Sequence, residues 1–412
     1  MYYEAEGLYD RGFPVSGFSL YGRCDKELGP RLLHGRLPVE RLGIAAIPRV
    51  LAAVARGVWR QPRISAGIFK DVFLRRWRDI EQQLENAWAG LCGFYLAERC
   101  RALGVRHVHA AWSSGPGTAA WVIKRLTGLP FSMAAIAGDI RPPDGALAEK
   151  LAAASFIKLE ASHNFSYLAQ FDPEGAKHKH HLLHDIRTLD FSGTAAVRMA
   201  RPLRLLCVGR LVETKGFQYA IEAVRLLRQR GMEVELTIAG SGAWERKLKK
   251  MARGLGVERE VSFPGFVIHD KVPELMLASD IFLMPCVVRK DIDKSDGLPT
   301  VIVEAMTHGL PVISTPIAGV GDAVRHGETG LMAAERDAVA LADAIQDMAG
   351  DRERALRMAD KARNLVAEMF DPDKNLQKLM DLFALHAMPS DGAAGARSDG
   401  PGTCGPRSTR SG

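Results

Sequence analysis

Short apolar runs alternate with longer amphipathic stretches along the second half of the chain. In "GFQYAIEAVRLLRQRG" (216–231) the apolar residues recur every three or four positions, the spacing of a helix with one buried face. Apolar strands joined by such helices are typical of a parallel sheet covered on both faces, which binds ligands beyond the carboxyl ends of its strands. The predicted strands lie at 203–209, 233–240, 260–265, 281–286 and 311–315.

The first half of the chain follows a similar pattern less regularly. Within 105–140, the segments "VRHVHAAW", "GPGTAAWVIKRLTG" and "PFSMAAIAGDI" predict a strand, a helix and a strand, and residues 30–100 are expected to be mostly helical. The sequence therefore predicts an α/β protein of two domains. The predicted parts are a first domain at 1–190, a polar linker at 191–202, a second domain at 203–370, a helix at 371–387 and a disordered Gly/Ser/Pro-rich tail at 388–412.

Composition narrows the class of protein. A chain of 412 residues is long enough for two domains. The six cysteines form no Cys-x-x-Cys pair and Cys207 lies within a predicted strand, so we expect reduced thiols rather than disulfides or a zinc ribbon. No stretch is long and apolar enough to span a membrane, and the acidic start "MYYEAEGLYDRGF" differs from a signal peptide. A cytoplasmic location is expected.

Positive charge is concentrated in residues 41–78, which carry nine basic side chains and one acidic one. We favour a helix that packs its apolar residues in the core and leaves a basic face in water. The alternative is a basic amphipathic helix that docks on anionic lipid at the inner face of the membrane. No nucleic-acid-binding motif accompanies the charge, so nucleic acid is not an expected partner. The apolar residues at helical spacing are Ile44, Ile47, Leu51, Val54 and Val58.

The stretch "SDGLPTVIVEAM" (295–306) places the carboxylates Asp296 and Glu304 on either side of a Gly-Leu-Pro turn and an apolar run. It follows a predicted strand, so it lies at the ligand-binding edge of the sheet. Pro299 suits the first position of a helix, and we predict a helix over 299–308. A glutamate inside such a helix is rarely buried without a partner, which indicates a ligand.

The predicted helix start and its carboxylates suit a nucleotide sugar. Free amides near Thr300 and Val301 would bind an anion, because helix N-termini offer oriented N–H groups and a favourable dipole. Glu304 and Asp296 could accept hydrogen bonds from ribose or sugar hydroxyls. Together these groups predict a site that binds the ribose, the diphosphate and the sugar of a nucleotide sugar.

The loop after the predicted strand 203–209 adds two cations. "CVGRLVETKGF" leaves its strand at Gly209 and brings Arg210 and Lys215 to the same edge of the sheet. A fork-shaped and a point-like cation could neutralise a leaving diphosphate without a metal.

Five segments of the second half combine in a recognisable order: "GRLVETKG", "IAGSG", "SFPGFV", "SDGLPTVIVEAM" and "HGLPVISTPIAGVGDAVRHGETGLM". Over about 203–370 they resemble the donor domain of glycosyltransferase family 4. The resemblance implies a GT-B fold, in which two Rossmann-like domains face a cleft, and a retaining, metal-independent enzyme.

The same resemblance implies roles for individual residues. Arg210 and Lys215 match the family's diphosphate-contacting pair. Glu304 matches the residue on the ribose, and Asp296 matches the acidic residue on the donor sugar, where the family more often has Glu. The other predicted donor-binding residues are Gly209, Thr300, the turn Gly297, Leu298 and Pro299, and the base-side pair Phe266 and Val267.

Residues 107–140 resemble the family's acceptor domain more loosely. Ala111 and Ile136 stand where family members usually carry histidines. The chain start aligns with the family's first helix and second strand, so the first strand is expected to be missing, which leaves an unpaired sheet edge. His109 and Asp139 remain as the acceptor-side candidates.

Three further patterns resemble metal or cofactor motifs. Asp291–Asp293 imitates the metal-binding Asp-x-Asp of another transferase fold, and we interpret it as loop charge. "GSG" (240–242) lacks the third glycine of a dinucleotide fingerprint. "KHKHHLLHD" (177–185) lacks cysteines and a helical histidine pair, and is interpreted as an exposed linker or strand edge. No metal site and no cofactor are expected.

We therefore expect a retaining, metal-independent glycosyltransferase that moves a sugar from a nucleoside diphosphate sugar to a lipid-linked or saccharide acceptor, in cell-surface polysaccharide or lipopolysaccharide synthesis. The predicted catalytic residues are Arg210, Lys215 and Asp296. Two alternatives stay open. One is a catalytically impaired donor-binding or scaffold member of the same family, which the changes at 111 and 136 favour. The other is a nucleotide-sugar epimerase, for which the first half offers too few acids and bases.

Overall fold

The computed structural model describes residues 2–22, 37–136, 138–184, 189, 191–289 and 297–388. Helices cover parallel sheets in both halves of the chain. The helices are α1 (Tyr2–Asp10), α2 (Ile47–Arg60), α3 (Pro62–Phe73), α4 (Ile80–Ala102), α5 (Gly115–Thr127), α6 (Leu147–Ala153), α7 (His163–Leu168), α8 (Phe217–Gln229), α9 (Glu245–Gly254), α10 (Val272–Leu277), α11 (Thr300–Thr307), α12 (Val320–Ala323), α13 (Ala338–Gly350), α14 (Arg352–Met369) and α15 (Pro372–His386).

Two parallel sheets, of four and six strands, form the centres of the two domains, and a pair of short strands lies apart from them. The strands of the first half are β1 (Gly17–Ser19), β2 (Val39–Arg41), β3 (Val108–Ala110), β4 (Phe131–Ala135), β5 (Ile157–Leu159) and β6 (His180–Leu182). Those of the second half are β7 (Leu203–Val208), β8 (Val234–Ala239), β9 (Val261–Gly265), β10 (Ile281–Met284), β11 (Val312–Ser314) and β12 (Leu331–Met332).

The second domain contains a six-stranded parallel sheet in the order β12-β11-β10-β7-β8-β9. The chain proceeds outwards from β7 to β9, then returns to the other side of β7 and continues to β12. The strand order therefore reverses between β7 and β10. A ligand crevice opens beyond the carboxyl ends of the strands at such a switch point. The loops after β7 and β10 border this crevice.

The five strands predicted for the second half are confirmed, each ending within two residues of its predicted limit. The short β12 was not predicted. The helix predicted over 299–308 begins one residue later than expected. Pro299 is its N-cap, with an extended backbone (ψ 119°), rather than its first helical residue. Gly309 ends the helix as a glycine should, with a left-handed φ of 64°.

The first domain contains a four-stranded parallel sheet in the order β3-β4-β5-β6, while β1 and β2 form a separate parallel pair. Among the described residues no strand pairs with the outer side of β3, so β3 lies at a sheet edge. The predicted helical character of this half is confirmed from α2 to α4.

The last described helix, α15, packs against the first domain although it follows the second in sequence. Its residues Leu376, Leu379 and Phe383 share a small core with Leu8 of α1 and Phe156 before β5. The sequence predicts this helix but not its packing, because helical periodicity does not show which distant surface covers the apolar face.

The outward face of α2 differs from the interpretation that we favoured. Val50 and Ala53 are buried, but Leu51 remains 52% exposed and Trp59 82% exposed. The apolar residues at 44, 47, 51 and 58 therefore face solvent instead of the core. None of the helices that the structure describes is long and apolar enough to cross a membrane.

Two histidines on β3 and its approach lie beneath α15. His107 Nε2 and His109 Nδ1 lie 2.8 Å and 2.7 Å from the hydroxyl oxygen of Ser132. Their rings pack against the phenyl rings of Phe156 and Phe383. This apolar packing lowers the pKa of each histidine to about 4, because the charged imidazolium loses hydration.

We expect the free energy of unfolding to fall as the pH drops from about 6.5 to 4. In this range the unfolded chain, with ordinary histidine pKa values, binds protons that the folded state does not, so stability is lost as pH falls. At about 1.4 kcal/mol for each pH unit between 6.5 and 4, each group should cost up to about 3 kcal/mol. Urea unfolding at several pH values measures the slope. The control is a His107→Gln, His109→Gln variant, whose curve should be flatter; an equally steep curve would contradict the assignment.

Candidate active site

The loop after β7 carries the two predicted phosphate-binding cations. Arg210 is exposed, whereas Lys215 is only 8% exposed. The Lys215 side chain runs alongside Gly209, whose missing Cβ would lie 3.5 Å from Lys215 Cε. The lysine stem therefore packs alongside the end of β7. Both cations follow β7, at the edge of the sheet where the sequence predicts them, and β7 adjoins the switch point.

Backbone contacts hold this loop between the neighbouring strand ends. Gly216, with a left-handed φ of 66°, lies so close to the Pro285 carbonyl after β10 that a Cβ could not fit. On the same side, the Val287 amide donates to the Thr214 carbonyl at 2.9 Å. On the β8 side, the Leu211 amide donates to the Ser241 carbonyl at 2.9 Å. The loop is thus fixed on both sides, which positions its cations.

The β10 side of the crevice ends in the start of α11. Gly297 and Leu298 are half-buried and lead into the buried Pro299. No described residue accepts a hydrogen bond from the amides of Thr300 and Val301. A helix start with free amides, at the same sheet edge as two cations, is suited to bind an anion.

Glu304 lies in the second turn of α11, half-buried between buried neighbours, as the sequence predicts. Asp296, the other predicted carboxylate, lies outside the described residues, as does Asp291–Asp293. On the far side of β7 and β8, the loop after β9 presents Phe266, 74% exposed, beside the partly buried Val267. The predicted donor residues that the structure describes therefore all follow strands at one edge of the sheet.

The two domains touch where the loop after β5 meets the start of α12. The Ser162 amide donates to an Asp322 carboxylate oxygen at 2.7 Å, and the Ser162 hydroxyl contacts the other oxygen. Next to this pair, Gly319 packs so closely on Ala161 and Leu298 that an added Cβ would be 2.5 Å from the Ala161 methyl. The 297–299 turn therefore lies at the junction of the two domains.

A cavity of about 350 Å³ opens in the first domain beyond the ends of β3 and β4. Trp112, 46% exposed, and Glu85 of α4 line it together with Arg78. Glu85 Oε1 accepts a hydrogen bond from the Gly115 amide at 3.0 Å, and its other oxygen accepts one from the Gln82 amide group at 3.2 Å. An aromatic ring beside carboxylates and a guanidinium is suited to a polyhydroxylated ligand, because the ring offers an apolar face and the charged groups bond hydroxyls.

The acceptor-side candidates take different positions. Asp139 lines the cavity, and its carboxylate accepts hydrogen bonds from the amides of Ser113 and Ile136 at 2.9 Å and 3.0 Å. It therefore shapes the loops after β3 and β4. His109 does not line the cavity and lies beneath α15. Sequence reasoning missed Trp112 and Glu85, although Trp112 is the last residue of the segment predicted as a strand and could have been found by its place at the strand end.

The described part of the chain contains no cluster of three His, Cys, Asp or Glu side chains that could hold a metal ion. His180 and His181 belong to β6, the edge strand opposite β3, so the interpretation of 177–185 as a strand edge is confirmed in part.

Two Rossmann-like domains, each a parallel sheet covered by helices, are the architecture of the GT-B class of fold. A solved structure shares it: Anabaena Alr3699/HepE in complex with UDP and glucose matches with a TM-score of 0.65. The match covers 93% of this chain and 94% of that one at 17% identity. The predicted fold class is confirmed.

The second domain also matches a sequence family. The family model of glycosyl transferases group 1 covers residues 198–365, which include the loop after β7, the 297–299 turn and α11. This match of residues 198–365 to the group 1 glycosyl transferases confirms the resemblance seen in the sequence.

Curated relatives match part of the chain. The amylovoran biosynthesis glycosyltransferase AmsK of Erwinia amylovora is 40% identical over 142 residues, 34% of this chain and 35% of that protein. A GDP-mannose-dependent alpha-(1-6)-phosphatidylinositol monomannoside mannosyltransferase of Mycobacterium tuberculosis is 33% identical over 186 residues, 45% of this chain and 48% of that protein. The match thus spans half or less of the length of these relatives.

Proposed function

We propose that this protein is a retaining, metal-independent glycosyltransferase that transfers a sugar from a nucleoside diphosphate sugar to a saccharide acceptor in polysaccharide synthesis. One observation carries the proposal: the buried cation Lys215 and the free amides at the start of α11 lie on the two sides of the same switch point. The family of the second domain and the polysaccharide named for AmsK support it.

The donor would lie across the switch point with its diphosphate between the β7 loop and α11. Arg210 and Lys215 donate hydrogen bonds to phosphate oxygens, and the amides of Thr300 and Val301 bind the same group. These donors stabilise the negative charge that grows on the diphosphate as the glycosidic bond breaks. Glu304 accepts a hydrogen bond from a ribose hydroxyl, and Asp296 is the proposed contact of the donor sugar.

The acceptor would lie in the cavity of the first domain. Its sugar ring stacks on Trp112, while Glu85 and Arg78 bond its hydroxyls. The attacking hydroxyl passes its proton to the departing phosphate on the same face of the donor sugar, which gives retention and needs no side-chain base. A proton NMR spectrum of the product tests retention, and full activity in EDTA tests metal independence.

The donor site is tested by nucleotide binding. UDP, GDP or ADP should raise the melting temperature of the protein, because a ligand that binds only the folded state stabilises it. At saturating nucleotide we expect the melting temperature to rise by about 2–4 °C for each kcal/mol by which binding stabilises the folded state. A Lys215→Ala, Glu304→Ala variant should lose the shift, and a Lys250→Ala, Glu258→Ala variant on the exposed surface should keep it. No shift with any nucleotide would overturn the proposal and favour a scaffold protein.

The acceptor site is tested at Trp112. A Trp112→Ala variant should raise the KM for the saccharide acceptor about tenfold, because it loses a stacking interaction with the sugar ring that contributes about 1–1.5 kcal/mol. Its nucleotide-induced melting shift should be unchanged, since the donor site lies in the other domain. Trp112→Phe keeps a ring and should recover most of the affinity. An unchanged KM in Trp112→Ala would place the acceptor elsewhere.

A further inference from the structure

The outer face of α2 consists of apolar side chains alone. We give the name α2 outer face to the exposed residues Ile47, Pro48, Leu51, Ala52, Ala55, Val58 and Trp59. At 100° per residue they span less than half of the helix circumference. Val50 and Ala53 on the opposite side are buried against the rest of the domain. The helix is therefore apolar both towards the core and towards the outside.

Cations border this face. Arg49, Arg56 and Arg60 follow one another along the side of α2, and Arg63 lies in the first turn of α3. Arg56 donates two hydrogen bonds to Glu98, at 2.9 Å and 2.7 Å. In the described part of the chain no carboxylate lies within salt-bridge distance of Arg49 or Arg63. The border thus retains positive charge.

We propose that the α2 outer face docks on an anionic lipid surface. The exposed apolar side chains, Trp59 and Leu51 above all, would enter the interfacial region, and the bordering arginines would bind lipid phosphates. The 14 residues of α2 extend about 21 Å, so the helix lies in the membrane plane and does not span it.

Charge favours lipid over a second copy of the chain. In a twofold dimer that pairs this face with itself through antiparallel helices, the arginine borders of the two copies would come together. The α2 sequence "IPRVLAAVARGVWR" contains no acidic residue to relieve that repulsion. An anionic membrane supplies the opposite charge along the whole border.

Vesicle flotation of the full chain tests the proposal and needs no sugar substrate, so its outcome is independent of the proposed function. The protein should float with vesicles of phosphatidylcholine and phosphatidylglycerol and remain behind with phosphatidylcholine alone. Binding should also shift the Trp59 fluorescence to shorter wavelength. Failure to bind anionic vesicles would overturn the proposal.

Two variants separate the apolar and the ionic contributions. Leu51→Gln with Trp59→Gln should reduce binding more than tenfold. Arg49→Gln, Arg60→Gln and Arg63→Gln together should reduce it about a hundredfold, since each cation near an anionic surface contributes about fivefold. All five side chains are exposed, so the melting temperature should stay near that of the wild type.

The matched control replaces apolar side chains of similar exposure elsewhere. Val339 and Leu385 are 51% and 75% exposed, and Val339→Gln with Leu385→Gln should leave vesicle binding unchanged. Equal binding by the α2 variants and the wild type would overturn the proposal. A dimer in analytical sedimentation that the Leu51→Gln, Trp59→Gln variant no longer forms would also overturn it, because a second copy of the chain would then cover the face.

Discussion

Replacing Lys215 by alanine is expected to lower kcat for sugar transfer by about a hundredfold or more. The ammonium group lies in a mostly buried position beside the switch point, where water screens it poorly. A hydrogen-bond donor that points at the leaving diphosphate contributes most in the transition state, where the negative charge is largest. Its loss should therefore lower kcat and not only raise KM. Removing one such donor typically costs about 10²–10³ in kcat.

Steady-state kinetics with a nucleotide sugar and a saccharide acceptor measure this effect. Lys250→Ala, on the exposed side of α9, is the matched control and should keep full activity. Arg210 is exposed, so Arg210→Ala should weaken donor binding more than it lowers kcat. A folded Lys215→Ala variant with the kcat of the wild type would exclude the lysine from stabilising the diphosphate.

The donor side of the site could be predicted from the sequence because local patterns define it. Arg210 and Lys215 follow an apolar strand within a few residues, and parallel strands bring such loops to one edge regardless of the details of packing. The start of α11 was displaced by one residue only, since Pro299 serves equally well as the last extended residue before a helix.

The predictions that were missing or wrong concern contacts between segments that are distant in the sequence. Trp112 and Glu85 form one cavity although they lie on different elements, and nothing local couples them. The face of α2 was misjudged because periodicity shows that a helix has an apolar face but not whether the core covers it. His109 alternates with its neighbours as any strand residue does, and only the packing of α15 decides its surroundings.

The second large effect is expected from Gly216→Ala, which should destabilise the second domain by about 2–5 kcal/mol. Gly216 has a left-handed backbone, which costs an L-residue about 1–2 kcal/mol. Its new Cβ would also overlap the Pro285 carbonyl at the end of β10, and overpacking of this kind costs about 1–3 kcal/mol more. Urea unfolding measures the loss.

Gly231→Ala separates the two causes. Gly231 follows α8 with a φ of 76°, but its added Cβ would meet no atom within 4 Å. The Gly231→Ala variant should therefore lose only the stability that the left-handed backbone costs an L-residue, about 1–2 kcal/mol, and retain full transferase activity. Gly216→Ala should in addition lose activity, because the residue adjoins Lys215 and fixes its loop to the β10 side of the crevice. Equal destabilisation of the two variants would mean that the β10 loop yields to the new methyl group, and the loop after β7 would then be a mobile rather than a fixed support for the cations.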